Sequence, residues 1–346
     1  MGSSELAKGL RDIVGENDSH LGADMWIDSG LPELNWALCG NYFDGFASEG
    51  ITEIFGPAAS GKTFLATMAM IAAQRAGGVC GFSDHERTFN KVLAQSLGLK
   101  TTSDDGFVYK RPVTFEESIN HCISTAKLVR ERELIPKDAP MVWVFDSLAS
   151  MVPYEKLYDK DGKSRLGKDV KVNMRDKLSL ATCTSQHFPT LSQFAADNNM
   201  LVLMLNQIRV DPGVMYGNPN KTPGGNAPEF YSGNRLSIGK KDIVNDKKEV
   251  IGSRITCKTL KCKFARFGRT AEWDIFFLPD RGAMVDHIGS NVDFILRREL
   301  LPRSGTYYEW EGKKYQKKTL VDRMRDDADE YARLLQVLPD TRVEST

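Results

Sequence analysis

An α/β fold built on a mostly parallel, twisted sheet is what this sequence predicts, and three observations predict it. Residues 51–55 are a short apolar run that leads into Gly56-Pro57-Ala58-Ala59-Ser60-Gly61-Lys62-Thr63, and a helical pattern follows at once. From Gly50 to about Asp286 apolar runs and helical patterns alternate, as an open sheet with crossover helices demands. The first four strands are short apolar runs, which suits a parallel sheet buried on both faces. The later runs alternate in polarity and predict an antiparallel extension.

Strands are expected at 51–55, 79–82, 141–145, 201–205, 235–238, 254–260 and 272–278. Helices are expected at 62–75, 89–97, 115–133 and 168–198, the last interrupted near Pro189. Ahead of them Leu6, Leu10, Ile13 and Val14 share one face of a short helix, and a polar linker follows. A lone amphipathic helix of that length is marginal in water, so this arm should dock, either on its own core or on a neighbouring subunit. After Asp286 come a helical run to Leu301, a hairpin of 307–310 and 313–316 turning at Glu311-Gly312, and a last helix at about 320–338. The expected organisation is a lead-in of residues 1–47, a core of 48–286 and a small α+β lobe of 287–346.

Composition removes several functional classes. Lys+Arg and Asp+Glu both total 46 in 346 residues, so no overall field draws the chain to nucleic acid and any such affinity must be local. The six cysteines are scattered, with no CxxC pair and no histidine at ligand spacing. They read as buried or free thiols of a reducing compartment. No apolar stretch approaches a membrane span, and the first residues lack a signal-peptide pattern, so a cytoplasmic protein without a membrane partner is expected.

The chemistry begins at the glycine-rich turn. Its glycines let the backbone amides converge on phosphate oxygens, and the helix behind adds its positive end. Gly56, Pro57, Ala58, Ala59, Ser60, Gly61, Lys62 and Thr63 form this phosphate loop, with Lys62 reaching the outer phosphates and Thr63 offering its hydroxyl to Mg²⁺. The apolar strand ending at Asp146 supplies the carboxylate that holds Mg²⁺, often through water. In the acidic turn Ser83-Asp84-His85-Glu86, Glu86 is the candidate to orient and polarise the water that attacks the γ-phosphate, with Asp84 behind it. Gln207, at the end of the fourth strand in Asn206-Gln207-Ile208-Arg209, could hydrogen-bond that phosphate or the water.

Residues 210–226 hold Gly213, Gly217, Gly224, Gly225, Pro212, Pro219 and Pro223 around Met215-Tyr216. A loop this long in a compact domain is functional or disordered, and Tyr216 could stack on bases. From composition alone, Met215 and Tyr216 tucking back onto the core is the plainer reading. Between Glu155 and Lys177 lie Lys156, Lys160, Lys163, Arg165, Lys168, Lys171, Arg175 and Lys177 among five acidic residues. This stretch could follow a phosphate backbone, or be a solvated face. Lys261 and Lys263 sit on alternate positions of a strand end and face one way, either as surface charge or as cations completing a nucleotide site from outside the domain.

Read together, these stretches resemble the RecA family of homologous recombinases, with the divergent phage branch typified by UvsX as the subgroup. The resemblance rests on the phosphate loop, Asp84-His85-Glu86, Val144-Phe145-Asp146-Ser147, and the run from Asn206-Gln207-Ile208-Arg209 through Gly213-Val214-Met215-Tyr216-Gly217-Asn218-Pro219 to Gly224-Gly225-Asn226-Ala227. It continues into Phe230-Tyr231 and Arg235-Leu236 and spans about residues 25–285.

The resemblance implies a RecA-like phosphate-loop ATPase using ATP and Mg²⁺, which assembles head-to-tail on single-stranded DNA, pairs it with a homologous duplex and exchanges strands. It also admits single-strand-binding and loader proteins as accessory partners. By the same resemblance Glu86 is the catalytic glutamate and Gln207 couples the γ-phosphate to residues 210–226, the second DNA-binding loop. Arg209, Met215, Tyr216, Gly217, Asn218, Gly224 and Gly225 are its expected DNA contacts. Lys163, Arg165 and Lys168 belong to the first DNA-binding loop, Lys261 and Lys263 reach a neighbour's nucleotide, and Phe230 lies at the subunit interface. The chain departs from the family at Asn90 and Leu93, where an Asp and a Tyr usually flank the adenine, at Glu229, usually a lysine in bacterial members, and in lacking an acidic tail. A RecA-like ring motor and a nucleotide-gated scaffold without useful turnover are the competing functional readings.

Overall fold

The computed structural model describes residues 25–165, 174–210, 220–279 and 282–339. In chain order its first elements are β1 (Trp26–Ile27), α1 (Pro32–Cys39), β2 (Phe46–Ala47), β3 (Gly50–Gly56), α2 (Lys62–Arg75), β4 (Val79–Asp84), α3 (Lys91–Ser96), β5 (Phe107–Lys110), α4 (Phe115–Glu131) and β6 (Met141–Asp146). Next come α5 (Tyr154–Leu157), α6 (Met174–Asp197), β7 (Met200–Gln207), β8 (Arg209–Val210), β9 (Asn220–Lys221), α7 (Ala227–Tyr231), β10 (Ser232–Val244), β11 (Val250–Cys262), β12 (Thr270–Leu278) and β13 (Gly282–Val285). The chain closes with α8 (His287–Arg297), β14 (Arg303–Ser304), β15 (Tyr307–Trp310), β16 (Lys313–Gln316), α9 (Lys317–Asp326) and α10 (Ala328–Leu335).

One nine-stranded sheet of order β13-β12-β11-β10-β3-β7-β6-β4-β5 organises these elements. From β10 to β5 every neighbour is parallel; from β10 outward to β13 every neighbour is antiparallel. The phosphate loop leaves β3, and Glu86 and Gln207 stand just past β4 and at the end of β7. A parallel sheet gathers the carboxyl ends of its strands on one edge, where ligands bind in open α/β folds.

The period of two along the central strands sorts their side chains between two cores. Leu201, Leu203 and Leu205 of β7 join Val142, Val144, Leu65 and Ile54 in one cluster. Met200, Val202 and Met204 join Trp143, Phe145, Phe115 and Phe188 in the other. A third core, with Val292, Phe294, Leu320, Met324 and Leu334, takes Tyr42 from the lead-in.

Several expected boundaries change. Helix α6 runs through Pro189 without a break. The proline forfeits a hydrogen bond and strains the helix by about 3 kcal/mol or more, but Phe188, Leu191 and Ala195 are fully buried against the sheet, and an apolar side chain of Phe or Leu size contributes about 1.5–3 kcal/mol when buried. The single helix expected at 320–338 is two, because Asp327 is extended and its carboxylate caps Glu330 N–H. The strand expected at 235–238 is longer and sits between the two parts of the sheet, parallel to β3 on one side and antiparallel to β11 on the other. Helix α1 and edge strand β5 were not expected. The arm expected near Leu6–Val14 lies outside the described residues.

Candidate active site

The glycine-rich turn has little steric latitude. A Cβ on Gly56 would lie 2.3 Å from the Ile238 carbonyl oxygen, and Gly61 is left-handed at φ 92°. Backbone approach and positive φ are what glycine permits, so β10 can press against the loop and α2 can start at Lys62. Lys62 Nζ donates to the Gly56 carbonyl at 3.0 Å and the Pro57 carbonyl at 2.7 Å. Its ammonium therefore lies curled over the turn it belongs to. Burial lowers its pKa, against the raising influence of Asp146 and Glu86.

A cavity of about 280 Å³ opens above this turn. It brings together Ala58, Ala59, Ser60, Gly61, Lys62, Thr63, Glu86, Asn90, Asp146 and Gln207, residues drawn from four separated stretches of chain. Gly56 and Pro57 do not line it; they act through the carbonyls that hold Lys62. Ser60 Oγ is buried with no hydrogen-bond partner among the described residues, a donor left for a ligand oxygen since buried hydroxyls are otherwise paired. A larger cavity, about 470 Å³, lies at the far end of α2 between Trp26, Arg75, Met284 and His287 and contains none of these groups.

Thr63 Oγ1 donates to Asp146 Oδ2 at 3.0 Å. Burial, then Glu86, pushes Asp146 up to about 6. Two hard oxygen donors in an acidic, half-enclosed corner fit Mg²⁺, which is held by few protein oxygens and keeps waters and phosphate oxygens as its other ligands. Among the described residues no group of three or more His, Cys, Asp or Glu side chains could form an all-protein metal cage.

The turn after β4 is pinned from below, since the Asp146 carbonyl accepts from His85 N–H at 2.7 Å and from Glu86 N–H at 3.2 Å. Asp84 is not a second base. Its carboxylate is buried and accepts from Thr88 N–H, Phe89 N–H and the Tyr109 hydroxyl, which makes it the anchor of the turn. Glu86 instead reaches the cavity, where its Oε1 accepts from Gln207 Nε2 at 2.8 Å and from the Ser147 hydroxyl. Asn90 also faces the cavity, but its Oδ1 caps α3 by accepting from Leu93 N–H, leaving its amide group toward a ligand. Leu93 lines the same wall.

From Gln207 the chain passes directly to β8, whose Arg209 and Val210 pair with Lys221 and Asn220 of β9 and close the base of the long loop. Arg209 is exposed. Met215, Tyr216, Gly217 and Asn218 lie outside the described residues, as does Lys168. Gly224 and Gly225 are left-handed; the Gly224 carbonyl accepts from Thr184 Oγ1 at 2.6 Å, and a Cβ on Gly225 would meet that of Ala181 at 2.8 Å. These two glycines seat the end of the loop on α6. Lys163 is exposed on a small turn closed by the Tyr158–Ser164 bridge, with Arg165 N–H donating to the Leu157 carbonyl.

Lys261 and Lys263 do not line the cavity of their own chain. Lys261 Nζ donates to the Glu229 and Phe230 carbonyls at 2.7 and 2.8 Å. Glu229 pairs within the chain with Arg235 at 3.1 Å. Phe230 is 70% exposed.

Two functional neighbours escaped the reading of the sequence. Ser147 follows Asp146 and reaches back to Glu86. Glu53 is fully buried in the middle of β3, where it accepts from Asn206 Nδ2 at 2.9 Å and Arg235 Nε at 2.6 Å. Asn206 also donates to the Pro223 carbonyl, so this buried charge ties the core to the end of the loop. A carboxylate inside an otherwise apolar strand was the available signal, since buried charges are paired.

The family model described as the RecA N-terminal domain matches residues 15–281. The chain belongs to the RecA family. It is 32% identical over 288 residues to Protein RecA of Leptospira meyeri, covering 83% of this chain and 67% of that one. It is 31% identical over 283 residues to Protein RecA of Rhodospirillum rubrum, covering 82% and 68%. Among solved structures, the RadB recombinase crystal structure aligns with a TM-score of 0.48 and 20% identity, over 75% of this chain and 98% of that one. No helix among the described residues is long and apolar enough to cross a membrane.

Proposed function

We propose that this RecA-family protein is a DNA-dependent ATPase that assembles head-to-tail on single-stranded DNA, pairs it with homologous duplex and exchanges strands. The observation that carries the reading is the hydrogen bond from Gln207 to Glu86. It joins the group suited to orient water to the strand end that leads into the loop of residues 210–226. Occupancy of the loop and state of the nucleotide are then linked, and linkage is reciprocal.

In this reading ATP lies in the cavity above the phosphate loop. Lys62 leaves the Gly56 and Pro57 carbonyls for phosphate oxygens, and Ser60 gains the partner it lacks. Mg²⁺, held by Thr63 and Asp146, supplies neutralisation of phosphate charge when bound. Glu86 accepts a hydrogen bond from a water and aims it in line with the γ-phosphorus; the phosphoryl group passes to that water and ADP leaves. Gln207 exchanges its bond to Glu86 for one to the γ-phosphate and carries the change into the loop. Lys261 and Lys263 of a neighbouring copy complete the site, a role for which exposed Phe230 supplies an apolar contact.

ATP turnover with and without single-stranded DNA, read beside electron micrographs of the same samples, tests this. Stimulated turnover and extended filaments are expected. Turnover indifferent to DNA would contradict this reading, and closed rings that unwind duplex would replace it with a motor.

A further inference from the structure

We propose that Ser147 is a positioning residue for hydrolysis, holding Glu86 by one carboxylate oxygen so that the other faces the attacking water. The inference rests on the reading of Glu86 as the group that orients this water.

Three donors converge on Glu86 Oε1: the Ser147 hydroxyl, Gln207 Nε2 at 2.8 Å and, more distantly, the Ser150 hydroxyl at 3.5 Å. Among the described residues none reaches Oε2. The carboxylate is therefore gripped on one side and open on the other. Its backbone gives it little help. Glu86 sits in a turn beyond the end of β4, followed by Arg87 in the left-handed region at φ 60°, and a glutamate side chain has several rotamers to lose on being fixed.

The two main donors differ in what they are free to do. Gln207 belongs to the strand end that leads into the loop, and its bond to Glu86 is given up when its amide turns to the γ-phosphate. Ser147 is wholly buried directly after β6, and its carbonyl accepts from Ser150 N–H at 2.9 Å in the short turn that follows. It stays. Ser147 thus keeps the aim of Glu86 through the step in which Gln207 lets go, and Ser150, 3.4 Å from it, is too far from the carboxylate to replace it. Ser147 touches neither substrate nor reacting atoms, and acts through Glu86 alone.

The test is a double-mutant cycle on the full chain, with turnover measured with and without single-stranded DNA and nucleotide affinity measured by a fluorescent ATP analogue. Ser147→Ala should lower kcat about tenfold, since misaiming a reacting group is expensive, with KM for ATP and analogue affinity changed less than twofold. In a Glu86→Asp background, where the shortened carboxylate no longer meets the hydroxyl, adding Ser147→Ala should cost less than twofold. Unchanged kcat in Ser147→Ala, an equal loss in both backgrounds, or a loss explained by KM would overturn the proposal. If Ser147→Ala melts below the assay temperature, Ser147→Cys, similar in volume and a weaker donor, carries the same cycle. Wild-type turnover in Glu86→Gln would instead remove the reading of Glu86 itself, and the two failures are told apart by that variant.

Discussion

Gln207 Nε2 lies 2.8 Å from Glu86 Oε1, a direct hydrogen bond between residues 121 positions apart in the chain. The end of β7 and the turn after β4 are thereby one polar unit. Gln207→Ala breaks this unit at its only amide donor to Glu86 among the described residues. The expected outcome is a loss of DNA-stimulated turnover of at least about tenfold, from a coupling of the usual size, while binding of ATP persists. A titration of single-stranded DNA against ATP turnover checks it; a variant stimulated as fully as the wild type would contradict it.

Glu53 is sealed in the core with Arg235 Nε 2.6 Å away. Removing Glu53 leaves the nearly buried Arg235 with only the exposed Glu229 as counter-charge and takes an acceptor from Asn206, so Glu53→Ala should cost up to about 3–5 kcal/mol in stability. Replacing both by apolar residues of similar volume should recover much of that. Urea unfolding of the single and double variants measures the difference.

Asp146, raised to about 6 by burial and by Glu86, must be ionised to hold Mg²⁺. Its ionised fraction falls from about nine-tenths at pH 7 to about one-tenth at pH 5. Mg²⁺-dependent affinity for ATP should accordingly weaken by up to about tenfold over that range, a trend that Asp146→Asn should lack. Calorimetric or fluorescence titrations at the two pH values decide it.

His85 is held down to about 4 by burial and then by Arg87. Its folded-state value is depressed below the ordinary 6.5, so between those values the unfolded chain binds more protons and stability rises with pH. The contribution is whole above pH 6.5 and is lost toward pH 4, on the order of 2–3 kcal/mol in total. Asp146 opposes it, because a raised carboxylate favours the protonated fold in the same window. Comparing unfolding at pH 7 and pH 5 for the wild type and His85→Gln isolates the histidine slope, which the variant should not show.

Much of this architecture is written in local pattern. Mainly apolar runs at 51–55, 141–145 and 201–205 became the central parallel strands because burial on both faces favours apolar sequence, with Glu53 the buried exception, and the hairpin at Glu311-Gly312 turned where expected. The phosphate loop, Asp146, Glu86 and Gln207 were legible because spacing along the chain fixes their positions at strand ends. Less legible was whatever depended on tertiary contact. Pro189 argues locally for a break, and packing of Phe188 and Leu191 overrides it. Helix α1 was signalled by Pro32 at its start and Gly40 past its end, and the last helix was divided by the capping pattern from Asp327 to Glu330, both local signs that a weak apolar periodicity hid. The bond from Ser147 to Glu86 has no local signature, since it joins residues 61 apart.

Lys261 and Lys263 do not line the cavity of their own chain, and the proposed filament places them in the nucleotide site of a neighbouring copy. Glu86→Gln and Lys261→Ala each spoil the opposite half of that site. Mixed in equal amounts on single-stranded DNA, the two inactive variants should regain a fraction of wild-type ATP turnover at those junctions where an intact Glu86 meets an intact Lys261. No recovery at any mixing ratio, or full activity of Lys261→Ala alone, would contradict it.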